Sequence, residues 1–384
     1  MIQVLLAIIY LSFISLGLPD GLLGSAWPTI YPELGIPVSY AGMLFAIISF
    51  CTVISSLLSD RLTLRFGPGK ITAVSVATTA LALFGFSVSR SYWMLCLWAI
   101  PYGLGAGSVD ACLNNYVALH YTSRHMSWLH CMWGVGATVG PYIMGCILSG
   151  GGHWTLGYRS IGVIQIILTL ILFLSLPLWK NNASDCSEKQ KKTPLSFSQI
   201  LNIPGAKQIM IAFFCYCALE QTTALWAASY LTLYKGIPAE TAAFFSGMFF
   251  IGITAGRCLN GFLTFRFSDT QLIRMGQGII AVGIVALLLP LGTGITFLGL
   301  ILIGLGCAPI YPCIIHSTPE HFTSEHSQAL IGVQMASAYI GSTMMPPIFG
   351  WIAEHGHVSL LPAYLLAILV LMAAMHEWML QKTA

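Results

Sequence analysis

Residues 15–28 read SLGLPDGLLGSAWP, from Ser15 to Pro28, and set one carboxylate, Asp20, in the middle of an apolar and small-residue run. That run lies inside a longer apolar stretch, 3–31, and about 20 such residues suffice to cross a bilayer. An acid at that depth is costly in hydrocarbon and is expected to face a polar cavity or another polar group. Two more acids stand alone in the same way, Asp110 in GAGSVDACLNNY and Glu220 in CALEQTTALWAASY. The whole chain agrees: 384 residues, 57% hydrophobic, only 8% charged, with a mean hydropathy of +0.81. This composition argues against a soluble enzyme and for a carrier coupled to protons or ions.

Working outward, apolar segments recur at 3–31, 39–59, 70–89, 94–119, 127–150 and 157–179, then at 205–234, 240–264, 270–292, 296–318, 325–351 and 358–380. They predict an all-α membrane protein of twelve transmembrane helices. Glycine and proline make the first, fifth and eleventh the segments expected to break or bend. The first begins Met1-Ile2-Gln3 without a basic leader and stays apolar past Leu23, so a retained span is expected rather than a cleaved signal. The polar run KNNASDCSEKQKKTPLSFSQIL, 180–201, divides six segments from six, with a weakly signalled interfacial helix around 195–203. The expected organisation is a six-helix bundle over 1–179, a cytoplasmic loop over 180–204 and a second six-helix bundle over 205–384.

Charge sets the expected orientation. Placing both termini in the cytoplasm puts Arg61, Arg65, Lys70, Arg124, Lys180, Lys189, Lys191, Lys192, Lys207, Arg257, Arg266, Arg274 and Lys382 on that side. Only Arg90, Arg159 and Lys235 fall outside, and cytoplasmic loops are the ones enriched in Lys and Arg. The net charge of +3 thus needs no nucleic acid to explain it. The eleven cysteines show no repeated close spacing and lie mostly in apolar segments, so they read as packing residues. Neither a metal site nor a disulfide scaffold is expected.

The two halves share short matches at one offset of 201 residues. Leu64-Arg65-Phe66 corresponds to Phe265-Arg266-Phe267, and Gly103-Leu104-Gly105 to Gly304-Leu305-Gly306. The same offset sets Asp20 against Gln221 and Asp110 against Tyr311. Such a repeat implies two pseudo-symmetric bundles that rock about a midplane site.

The loop expected after the second segment carries SLLSDRLTLRFG, Ser56–Gly67, which resembles the G-x-x-x-D-R-x-G-R-R signature of the major facilitator superfamily. Ser56 replaces the leading glycine, and extra residues separate Arg61 from Arg65. The resemblance implies gating roles for Asp60, Arg61 and Arg65; a solvated pair marking a turn is the other reading. Within that superfamily the chain resembles the fucose-permease-like sugar:proton symporters. Asp20 matches the acid of their first helix, Asp110 their buried glutamate of the fourth and Asn114 the asparagine that follows it. The resemblance implies a link to substrate and coupling for Asp20 and to proton translocation for Asp110. Gly17 stands where sugar-transporting relatives carry a substrate-contacting asparagine.

Periodicity adds candidates around these acids. Trp27 is seven residues from Asp20 and shares its face on a straight helix. It reads either as a plane for a ligand ring or as an outer interface residue. Asp110 and Asn114 are one helical turn apart, with Gly103 and Gly107 extending the face for close packing. Glu220 is a proton carrier, a substrate acid or an internal partner, and Gln221 is a donor and acceptor for a hydroxylated ligand. His130 and Trp133, in WLHCMWGVGATVGP, share a face and offer ligand contact or proton relay. Gln334 and Tyr339 are further cavity candidates. Arg257 reads as a snorkelling anchor near its helix end, with a salt bridge that locks one gate state as the other reading.

The expected function is a proton-coupled symporter that imports a small neutral hydrophilic solute, a monosaccharide, across the cell inner membrane. A proton-driven exporter of amphipathic or cationic compounds is the alternative. Proton coupling falls to Asp20, Asp110 and Glu220. The expected partners are the solute, protons and membrane lipids, with no nucleic acid, no cofactor and a monomeric working unit.

Overall fold

The computed structural model describes residues 2–120, 123–179, 197–290 and 292–383. Among them the chain is helical almost throughout: α1 (Ile2–Gly17), α2 (Leu22–Glu33), α3 (Tyr40–Phe66), α4 (Pro68–Val88), α5 (Tyr92–His120), α6 (Ser123–Ser149) and α7 (Trp154–Ser175) precede the polar run. A short α8 (Phe197–Leu201) then leads to α9 (Ala206–Leu233), α10 (Ala239–Leu263), α11 (Asp269–Leu288), α12 (Thr293–His355) and α13 (Leu361–Thr383). Nine segments of the described residues are long and apolar enough to cross a membrane. The charged or interrupted α3, α5 and the second limb of α12 bring the spans to twelve. The cluster of Lys189, Lys191 and Lys192 lies outside the described residues.

α12 needs explanation, because 63 residues of straight helix would run about 95 Å against a hydrocarbon core of about 30 Å. It folds back on itself. Thr318 and Gln334 are sixteen residues apart yet hydrogen-bonded at 3.2 Å, and the Tyr311 hydroxyl meets the Met335 sulfur at 3.3 Å. The run is therefore a helical hairpin, and its two limbs are the tenth and eleventh spans.

The first span breaks between Gly17 and Leu22, as its Pro and Gly suggest, whereas α6 stays helical through Pro141 and α12 through Pro346 and Pro347. One expected boundary moves. The stretch Ser56–Phe66 belongs to α3 and is not a loop, since nothing breaks the helix until Gly67, which turns the chain at φ 83° ahead of Pro68.

Between helices in lipid the apolar effect has little to offer, so close backbone approach through small residues holds the bundle. Here the 201-residue repeat acquires a physical cause. A Cβ on Gly103 would collide with the Ile48 carbonyl, and one on Gly304 with that of Phe249, which is 201 residues beyond Ile48. Gly105 rests in the same way on Ser75 and Thr79 of α4, and Gly306 on Gly276 and Ile280 of α11. The trio α3, α4 and α5 is thus rebuilt as α10, α11 and the first limb of α12, giving two pseudo-symmetric six-helix bundles. The bundles meet along α6 and α10, along α3 and the second limb of α12, and where α2 reaches α9 and α10.

Candidate functional site

The site grows from the break in the first span. Pro19 cannot donate to a helical ladder, and the chain instead makes tight turns from Asp20 N to the Gly17 carbonyl (3.0 Å) and from Leu22 N to the Pro19 carbonyl (3.1 Å). Gly17 presses on the Trp133 carbonyl, and a Cβ on Gly21 would come within 2.5 Å of Pro141. The broken segment is therefore moulded to α6, the kind of protein cover that irregular backbone requires at this depth. At its apex the Asp20 side chain is exposed, and its Oδ2 accepts the Trp133 indole N–H at 2.7 Å. Asp110 and Glu220 both lie within electrostatic reach of it, as does the Tyr102 hydroxyl. Three acids that stand far apart in sequence face one central region.

The second element belongs to the other bundle. Glu220 of α9 is buried and pairs with Arg257 of α10, Nη2 to Oε1 at 3.8 Å, with the arginine side chain only 15% exposed. The guanidinium lies 4.8 Å from the centre of the Trp133 ring and donates to the His130 carbonyl at 3.4 Å. Arg257 is thus no anchor reaching for the surface. It is the cation of the centre, and through Trp133 it stands next to Asp20. Sequence reasoning ranked the anchor first because the partners of Arg257 arrive from other helices; the available signal was a lone arginine within an apolar segment.

The third element is Asp110, whose Oδ1 accepts from Asn114 Nδ2 at 2.8 Å, as their four-residue spacing foretold. Asn114 Oδ1 is buried without a hydrogen-bond partner among the described residues. Tyr311 and Tyr339 of the opposite bundle lie within electrostatic reach of Asp110, and Tyr339 lies near Ser56 across the two bundles.

Other candidates go elsewhere. Trp27 is fully buried and spends its N–H on the Val38 carbonyl at 2.8 Å, so it packs the core instead of offering a plane to a ligand. Gln334 is fully buried against Thr318 inside the α12 hairpin. Gln221 is half-buried beside Glu220. The His130 ring stands edge-on to Phe13 at 5.7 Å, between α1 and α10. Arg65 is exposed and lies over Phe66, while the side chains of Asp60 and Arg61 fall outside the described residues. The position of Gly17 has no room for an asparagine in this packing. No group of three metal-ligating side chains occurs among the described residues.

The central region is closed at the end away from the chain termini. There a Cβ on Gly24 would come within 2.6 Å of the Ala224 carbonyl and one on Gly42 within 2.6 Å of Pro347. The Ser39 hydroxyl donates to Glu354 at the same end. Nearer the termini, α1 packs on α4 to α7 and makes no comparable contact with the second bundle.

An exposed acid at a broken span, faced by acids and a cation from two repeated bundles, is the layout of a carrier. A family model for the Major Facilitator Superfamily matches residues 9–316 and 209–383. The chain belongs to the major facilitator superfamily. Its members are membrane transporters, not enzymes, and this chain is a multi-pass transporter of that fold. It is 25% identical over 284 residues to Bypass of stop codon protein 6 of Saccharomyces cerevisiae, covering 67% of this chain and 56% of the yeast protein. It is 20% identical over 297 residues to the Glucose/mannose transporter GlcP of Bacillus subtilis, covering 73% of this chain and 70% of that one. Among solved structures, the nucleoside transporter NupG superposes with a TM-score of 0.78 at 14% identity, covering 98% of this chain and 99% of the other. At that identity the likeness speaks for the fold alone.

Proposed function

We propose that this major facilitator is a proton-coupled symporter that imports a small neutral hydrophilic solute, a monosaccharide, across a cytoplasmic membrane with both termini inside. Asp20 carries the reading: a carboxylate in mid-span that is exposed to the central region and already holds an indole N–H. A carboxylate accepts solute hydroxyls or a proton, and the Trp133 ring beside it supplies an apolar face for a sugar. In this reading the described state is closed outside, and the bundles 1–179 and 205–384 rock about the centre.

The cycle follows from differential affinity. Outside water protonates Asp20 and Asp110, solute engages Asp20, Trp133 and Asn114, and rocking exposes the region to the cytoplasm, where proton and solute leave. Coupling requires the proton to be held more tightly in one opening than the other. Arg257 neutralises Glu220 within the second bundle, so this acid moves with its counter-charge while Asp20 and Asp110 carry the protons.

A second reading, proton-driven export of amphipathic cations, is favoured by the excess of three acids over one arginine and by the Trp133 and Phe250 rings, 6.3 Å apart. One experiment separates them. In proteoliposomes, a monosaccharide that alkalinises the outside medium, but not with Asp110→Asn, supports symport. Gradient-driven movement of lipophilic cations with no sugar response supports export and sinks the symport reading.

A further inference from the structure

We propose that Cys131 and Cys258 form an oxidisable staple between the two bundles, and that their disulfide keeps α6 and α10 from parting at the end nearer the chain termini. The inference rests on the rocking motion of the reading above, but not on its solute or its proton.

The two thiols come from different bundles. Cys131 is a buried residue of α6, Cys258 an exposed residue of α10, and their sulfurs stand 3.0 Å apart. A disulfide needs about 2.05 Å between sulfurs, so closure asks for a shift of about 1 Å. The pair ends a continuous seam. Three residues further along α6, Gly134 is seated on Thr254, and Thr138 lies 3.5 Å from the same threonine. At the far end Gly145 meets Phe244, with 2.7 Å left for a Cβ. Each step up α6 is matched by a step down α10, so the helices run antiparallel in contact over about 21 Å at 1.5 Å per residue. Cys131 stands near the start of α6 and Cys258 near the end of α10, so a covalent bond there pins the seam at its termini-side end, one of the two ends that rocking must part.

The chemistry balances with peroxide as oxidant. The accessible Cys258 thiol is oxidised to a sulfenic acid with release of one water. The Cys131 sulfur then attacks the Cys258 sulfur, the sulfenic oxygen leaves as a second water, and the S–S bond forms. Together the thiols lose two protons and two electrons, and peroxide is reduced to two waters. A thiol reductant returns both cysteines to the free state found here.

The test needs no solute. The full-length protein in lipid nanodiscs is treated with hydrogen peroxide, digested without reduction and searched for the peptide pair carrying Cys131 and Cys258. In parallel, hydrogen exchange is followed over Trp128–Ser149 of α6, whose amides are exposed when the seam parts at the cysteine end. The expected result is the linked pair and at least tenfold slower exchange over Trp128–Ser149, both reversed by dithiothreitol and both absent in Cys258→Ala. Cys131→Ala provides a second variant in case the first folds poorly. Absence of the linked pair, unchanged exchange in the linked protein, or slowing that persists in both variants would each overturn the proposal.

Discussion

The first span and its counterpart in the second bundle show how one helix position is put to two uses. In the first bundle the segment breaks at Leu18–Gly21 and exposes Asp20; in the second, α9 runs unbroken and carries Gln221 at the matching position, with Glu220 buried beside it. Even the packing departs from the repeat. Gly140 of α6 sits on the Leu18 carbonyl, whereas Gly341 of α12 sits on Phe214, five residues from where the repeat would place it. The lesson is electrostatic. An acid on broken backbone stays open to water and exchangeable species, while an acid on intact helix is buried and must bring its own cation.

The largest expected effect tests the second half of that contrast. Arg257→Gln leaves Glu220 buried without compensation, which costs about 3–5 kcal/mol and should appear as a marked fall in thermal stability in detergent. Glu220→Gln combined with Arg257→Gln should recover most of the loss; equal stability of the single variant and the parent would show that Glu220 needs no counter-charge. Asp20→Asn tests the other half. It keeps the shape and hydrogen-bonding capacity of the protonated acid but cannot gain or lose a proton, so solute-driven proton movement should fall about tenfold or more, with little change in stability. A stability loss without a transport defect would make Asp20 a structural acid.

Smaller effects sharpen the geometry. Gly24→Val overpacks the closed end against Ala224 and Leu225, at a cost of about 1–3 kcal/mol, and should speed hydrogen exchange over Leu22–Glu33 by a factor of about 5–150. No change would mean that this end is not a tight seam. Smallest in its effect on transport is Trp27→Phe, which forfeits one hydrogen bond and leaves a cavity, about 1–3 kcal/mol of stability, and should leave solute affinity untouched. A binding defect there would return Trp27 to the ligand site.

Much of this was legible in the chain. Apolar length alone predicts the twelve spans, and isolation in such segments marks Asp20, Asp110 and Glu220. The Asp110–Asn114 contact follows from helical spacing because α5 is unbroken there. Trp27 fails for the converse reason: seven residues mean a shared face only on a straight helix, and Leu18–Gly21 is not helical. Arg257 was hidden because its partners, Trp133 and Glu220, arrive from two other helices, one of them in the other bundle. The gating stretch was misplaced as a loop because charges near a span's end resemble a boundary, although Ser56–Phe66 contains no helix breaker.

The paired glycines of the two trios carry one more consequence. A side chain yields to strain by changing rotamer, but a carbonyl seated on a glycine has no rotamer to change. Each trio is accordingly laminated, like plywood, and resists shear in its own layers. The compliance of the molecule is left to the seam between the two stacks, and a thin hinge between stiff boards transmits a small push at its centre into a large displacement at its edges.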